Sequence, residues 1–109
     1  MRRVAAIAVA LATFAAAPCA IADAIDGEWC SSAGKSLMIT GPAIRTPAGM
    51  QTKGRYSRHA FAYEPPKDDP EYGQFVVMEL LNEDLMRLAR VKDGVASPAE
   101  EWRRCNVTS

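Results

Sequence analysis

The sequence is poor in the residues that most often carry chemistry. Among 109 residues there is a single histidine, His59, only three cysteines, and 7% aromatic residues. One imidazole and so few thiols do not assemble an N/S zinc site, which needs four ligands. No Gly-x-Ser-x-Gly turn exists to expose a nucleophilic serine, and no glycine-rich phosphate loop precedes a helix. The carboxylates of 68–71 lack EF-hand spacing and read as a solvated acidic loop. We therefore expect no metal, no cofactor and no enzymatic activity. The formal net charge is zero. Without an excess of basic residues, neither nucleic acid nor an anionic lipid surface is an expected partner.

Long hydrophobic runs are also scarce, and the one present is N-terminal. Arg2 and Arg3 precede Val4–Ala17, an alanine-rich apolar stretch. Small residues follow at Ala20, Ala22 and Ala24. This order is that of a secretory signal, expected over 1–22 with cleavage after 22 or 24. The run of about 14 residues is shorter than the ~18–20 that span a bilayer, so no membrane insertion is expected after its removal. Cys19 as a lipidated N-terminus lacks the expected Leu three residues earlier and follows Pro18. Arg2-Arg3 as a twin-arginine signal lacks the wider pattern. Cleavage removes both arginines and turns the net charge slightly negative. It also removes Cys19 and leaves Cys30 and Cys105, an even count that in an exported chain implies a disulfide.

The remainder, 25–107, reads as a single β-domain. Lys35–Thr40 alternates, with Leu37 and Ile39 on one face. Gly41-Pro42, Pro47 and Ala48-Gly49 punctuate short strands. Met50–Glu64 reads as one long strand, with Gly54 marking a bend or bulge. In it Tyr56, Arg58, Ala60 and Ala62 share one face, and Ser57, His59, Phe61 and Tyr63 the other. Pro65–Gly73, rich in proline and acid, reads as an exposed mobile loop. Gln74–Val91 fits either a helix or a hairpin turning at Asn82-Glu83-Asp84. The all-β context and Phe75-Val76-Val77 favour the hairpin, with Val76, Met78 and Leu80 on one face and Leu85, Ala89 and Val91 on another. Lys92–Ala99 reads as a loop and Glu100–Asn106 as the last strand. Asn106-Val107-Thr108 spells a glycosylation sequon, which means little in a bacterial-type exported protein.

Gly27-Glu28-Trp29 resembles the first-strand Gly-x-Trp signature of lipocalin-like barrels. That resemblance implies a tryptophan across the barrel floor with a last-strand arginine over its ring. Arg103 or Arg104, beside Trp102 and Cys105, would supply it. Trp29-Cys30, Leu37-Met38-Ile39, Gly41-Pro42, Thr46-Pro47, Gly54–His59 and Trp102–Cys105 together resemble a family of small exported bacterial proteins of unassigned function. This resemblance implies the fold and the export but no activity. Gly54-Arg55-Tyr56-Ser57 partly resembles periplasmic lysozyme inhibitors, although the Trp-x-Lys-Gly segment expected next is absent.

The expected fold is a small antiparallel β-barrel or meander of about six to eight short strands, stapled Cys30–Cys105. Ser57 and His59 as nucleophile and base would sit ~6.5–7 Å apart along a strand, too far for proton transfer. Arg55, Tyr56, Arg58, His59 and Tyr63 instead mix cations with aromatic surface, as binding hot spots do. Two readings stay open for them: a partner-binding patch, or barrel-filling aromatics with arginines paired to Glu64, Glu79 or Glu83. The expectation is a non-enzymatic binding or envelope-associated module, periplasmic or secreted, whose partner the sequence does not name, a protein being one candidate. A lipocalin-like small-ligand carrier and a lysozyme-inhibitor-like protein are the alternatives.

Overall fold

The computed structural model describes residues 24–105; the expected signal segment, Cys19 and the Asn106–Thr108 sequon lie outside them. Ten strand segments form one antiparallel sheet. They are β1 (Gly27–Ser31), β2 (Ser36–Thr40), β3 (Ala43–Arg45), β4 (Gln51–Lys53), β5 (Arg55–Ser57), β6 (Ala60–Tyr63), β7 (Phe75–Asn82), β8 (Leu85–Lys92), β9 (Val95–Ala96) and β10 (Glu100–Arg104). The hydrogen-bonded order runs β4-β3-β2-β1-β10-β8-β7-β6-β5, with β9 also on β8. The two ends of this path, β4 and β5, are consecutive in the chain with only Gly54 between them. One bent strand thus joins both ends and closes the barrel. β9 and β10 likewise follow one another along β8. The ten segments therefore make eight staves in up-and-down order.

Gly54 makes the bend possible. A Cβ there would lie 2.4 Å from the Ala62 carbonyl oxygen and under 3 Å from Phe61 and Tyr63. The space a side chain would need is filled by the Ala62 carbonyl, the edge of the Phe61 ring and the Tyr63 Cβ. The expected bend is correct, but the single long strand over Met50–Glu64 is not. Arg58-His59 forms a two-residue turn, so Ser57 pairs with Ala60 and Tyr56 with Phe61. Tyr56 and Phe61 therefore share a face, with rings 6.5 Å apart and edge to face.

The interior is filled by side chains. Ile25, Trp29, Leu37, Ile39, Ile44, Phe61, Tyr63, Val76, Met78, Met86, Leu88 and Trp102 form one buried cluster. β2 buries Leu37 and Ile39, and β7 buries Val76 and Met78 with Leu80 packed against them, as the alternation predicts. The 74–91 segment is the expected hairpin, turning at Glu83-Asp84. Leu85, Ala89 and Val91 share one face of β8, as expected, and that face turns outward. Met86 and Leu88 point inward, and Leu85, Ala89 and Val91 do not. Arg90 continues the inward row, its side chain only 14% exposed.

One end of the barrel is closed by 24–26, the segment that leads into β1. Ile25 is fully buried, and the Trp29 indole N–H donates to its carbonyl at 2.9 Å. Arg104 lies over the Trp29 ring, 4.0 Å from its centroid. Its guanidinium donates to the carbonyls of Asp26 (2.5 Å), Ala24 (2.9 Å) and Glu83 (2.8 Å). Arg104, and not Arg103, thus takes the place that the Gly-x-Trp resemblance implies. Gly27 has φ +124°, and a Cβ on it would sit 2.6 Å from the Arg104 Nη1. Both facts require glycine at that position. Burial lowers the Arg104 pKa, and the nearby carboxylates of Asp84, Asp26 and Glu83 oppose the shift.

The other end is covered by 65–73. This segment is not the expected mobile loop. Pro65 and Asp69 are buried, and three turn hydrogen bonds organise it, from Asp69 N–H to Pro66, Tyr72 N–H to Asp69 and Gln74 N–H to Glu71. Asp69 accepts from the Thr46 hydroxyl at 2.9 Å, and Glu71 pairs with Arg90 Nε at 2.5 Å. Glu100 binds Arg90 Nη1 at 2.6 Å and accepts from the Trp102 indole at 3.1 Å. Burial alone would lower the Arg90 pKa; the hydrogen bonds that Arg90 donates to Glu71 and Glu100 outweigh it, and the pKa is raised. The expected 92–99 loop also contains more order. Asp93 and Gly94 both have positive φ, 53° and 78°, the signature of a type I′ turn. They connect β8 directly to β9.

The disulfide joins the first and last strands. Cys30 lies opposite Arg103, the Cys105 N–H donates to the Glu28 carbonyl, and the Cys30–Cys105 Cα distance is 4.9 Å. It bridges the β1–β10 seam diagonally, within normal disulfide reach.

Candidate partner-binding surface

The β5–β6 hairpin carries all five residues expected in a binding patch, and exposes four of them. Arg55, Tyr56, Arg58 and His59 are all exposed. The backbone fixes the hairpin tip from two sides: the Arg58 carbonyl accepts from Ile25 N–H and the His59 carbonyl from Leu80 N–H, each at 2.8 Å. The side chains are thus displayed on a tethered turn rather than on a free loop. Tyr56 is held at its base by Phe61 and at its tip by Asp26, whose carboxylate accepts its hydroxyl proton. The other Asp26 oxygen accepts the Gly41 N–H at 2.8 Å. The hydrogen bond to Asp26, followed by partial desolvation, raises the Tyr56 pKa and keeps the phenol neutral.

Tyr63 does not belong to this patch. It is 2% exposed and packs against Phe61 at 6.2 Å, inside the barrel. Register explains the difference. The turn at Arg58-His59 sends β6 back along β5, so Tyr63 lies at the far end from the tip. Burial, then the charges of Glu71 and Asp69, push its pKa well above the ordinary tyrosine value.

Ser57 and His59 do not form a nucleophile–base pair. The Ser57 hydroxyl is directed to the Ala60 carbonyl at 3.4 Å, within the turn. Among the described residues no group of three or more His, Cys, Asp or Glu is placed to hold a metal ion. Nor is any helix of the described residues long and apolar enough to cross a membrane.

Two features escape sequence reasoning. The first is Lys53, exposed on β4 and continuing the cationic line of Arg55 across Gly54. Among the described residues, neither Lys53 nor Arg55 has an ion-pair partner. The second is a groove of about 300 Å³ beside the hairpin, lined by Arg55, Ser57, Ala60, Ala62 and Val77 among others. Its apolar floor lies at outward positions of adjacent strands: Ala62 pairs with Arg55 on one side and Val77 on the other. Only the assembled register brings these small residues together. A larger, polar cleft of about 740 Å³ opens between the β1–β2 turn and β10, lined by Lys35, Arg90, Glu100, Glu101 and Arg103 among others. Its most buried charge, Arg90, is already paired with Glu71 and Glu100.

Trp29, Trp102, Arg104, Cys30 and Cys105 all serve the frame of the barrel. Arg103 is exposed on the outer side of β10. Comparison with known proteins gives no match to a family, to a curated protein or to a solved structure.

Proposed function

We propose that this is an exported, non-enzymatic binding module that recognises a protein through the β5–β6 hairpin. The observation that carries the reading is the fixed display of Arg55, Tyr56, Arg58 and His59 beside an apolar groove. Arginine and tyrosine offer large contact area with hydrogen bonds, and a tethered turn lowers the entropy lost on binding. Lys53 and Arg55 suit a partner surface carrying carboxylates. The filled interior, with Trp29, Trp102 and Phe61 fully buried, supports a surface role over carriage of a ligand inside the barrel. Export to an oxidising compartment, periplasmic or extracellular, is supported by the Cys30–Cys105 disulfide.

The test compares wild type with Arg55→Ala/His59→Ala as bait in cross-linked envelope extracts of the source cell. Specific partner loss at an unchanged melting temperature supports the reading. An undiminished set of captured proteins overturns it, as does a loss that tracks a fall in melting temperature.

A further inference from the structure

The outward face of β7 and β8 does not look like a barrel surface meant for water. On β1, β2 and β3 the outward positions include Glu28, Met38 and Arg45, with Glu28 and Arg45 paired across Met38 at 3.5 Å. On β7 and β8 the outward pairs are Phe75 with Val91, Val77 with Ala89, and Glu79 with Arg87. The first four are only half-buried within the chain, and Ala62 and Ala99 extend the apolar band on either side. A groove of about 310 Å³ follows this band, lined by Val77, Ala89, Glu79, Arg87 and Ala99 among others. Among the described residues, no other pair of neighbouring strands has apolar partners at two consecutive outward levels.

We infer that this face is the contact between two copies of the chain, related by a twofold axis parallel to the strands and lying above the β7–β8 boundary. The register dictates what such an axis does. It lays β7 of each copy over β8 of the other without shifting either along its length. Val77 then meets the other copy's Ala89, large against small. Phe75 meets Val91. Glu79 meets Arg87, and Arg87 meets Glu79. Each copy already pairs Glu79 with Arg87 at 2.8 Å, so association turns two surface ion pairs into one alternating four-charge cluster. An isologous contact must be self-complementary in this way. Moving the axis one strand towards β6 would set Glu79 against Ala60 and lose the charge match. β7 and β8 are also the longest strands, eight residues each, which gives the contact its length. The hairpin tip at Arg58-His59 lies outside this contact, but Val77 lines both the contact and the groove beside the hairpin, so a second copy and a partner seated in that groove compete for it.

The outer surface of a barrel is convex, so the contact is narrow and the association weak, in the micromolar range typical of small interfaces. The test is sedimentation velocity of the mature, disulfide-bonded protein from about 1 to about 500 µM, spanning weak affinities. A concentration-dependent monomer–dimer equilibrium is expected. Val77→Asp abolishes it. Arg87→Glu, which gathers four carboxylates at the axis, weakens it by at least about tenfold. Arg87→Glu combined with Glu79→Arg restores it, because the swap preserves the alternation both within and between copies. Circular dichroism and thermal melts confirm that each variant is folded. A strictly monomeric wild type at the highest concentration overturns the inference. So does a dimer that survives Val77→Asp, or a double swap no better than Arg87→Glu alone.

Discussion

Replacing Arg104 with methionine tests the description of the closed barrel end most directly. Methionine keeps an unbranched apolar stem against the Trp29 indole and removes the guanidinium. Three carbonyls, those of Ala24, Asp26 and Glu83, lose their donor, and the cation leaves the Trp29 face. Hydrogen bonds to charged groups contribute about 1.5–3 kcal/mol each, and the cation–π contact about 0.5–2 kcal/mol. The full sum is not realised, because the folded state already bears a desolvation cost that lowers the Arg104 pKa, and water reaches the Glu83 carbonyl at an exposed turn. We expect a net loss of about 3 kcal/mol, which for a domain of this size is a fall of about 12–24 °C in Tm. Arg104→Lys recovers only a minor part, since one ammonium cannot reach three carbonyls and cover an indole together. The neighbouring Arg103→Met is the control. Arg103 is 65% exposed and among the described residues pairs only with Glu101, at 4.0 Å, so its loss changes stability by less than about 0.5 kcal/mol. Urea unfolding monitored by tryptophan fluorescence measures all three. A loss below about 1 kcal/mol for Arg104→Met, or equal losses for the two methionine variants, would refute the reasoning.

Two further outcomes follow from the same frame. Cys30→Ser/Cys105→Ser reopens a loop with a sequence separation of 75; it is expected to cost about 4 kcal/mol in the chain-entropy model, and a loss under about 1 kcal/mol by urea unfolding would contradict the disulfide's part in stability. Tyr63 is expected to set an alkaline limit. Its folded pKa is raised above the ordinary 10.0, so its contribution is fully present below about pH 10 and is lost as pH rises further, while tyrosine in the unfolded chain ionises first. Urea unfolding from about pH 8 to about pH 11 should show this decline in wild type and a much shallower one in Tyr63→Phe; identical limbs would exclude Tyr63 as the cause.

What could be read from the sequence, and what could not, follows from the range of the interactions involved. The barrel, the Trp29–Arg104 closure, the Cys30–Cys105 bridge and the β7–β8 hairpin rest on local alternation or on chemically distinctive pairs, and sequence reasoning finds them. The turn at Arg58-His59 contains none of the usual turn residues. It is set by Gly54, which lets Phe61 and Tyr63 enter the barrel from the returning strand. That one turn moves Tyr63 out of the exposed patch and into the core. The inward face of β8 was hidden because both faces are apolar and the true one ends in a charge. Arg90 can point inward only because Glu71 and Glu100 arrive from 19 residues before and 10 after. The same distant partners fix 65–73, whose composition alone describes a mobile loop.

Arg90 and the outer β7–β8 face both depart from the inside-apolar, outside-polar rule, and the two departures have different explanations. Arg90 is a charge on an inward row. Its cost is offset within the chain by two carboxylates, and the arrangement holds the covering segment over the barrel end. Phe75, Val77, Ala89 and Val91 are apolar side chains on an outward face, each only half-buried by the described residues. β-branched polar residues such as threonine would suit the strands as well and water better. This face is more apolar than strand pairing alone requires. Its regular pairing of large with small and of Glu79 with Arg87 is therefore best explained by contact outside the chain. A surface self-complementary across the β7–β8 boundary needs no partner other than itself.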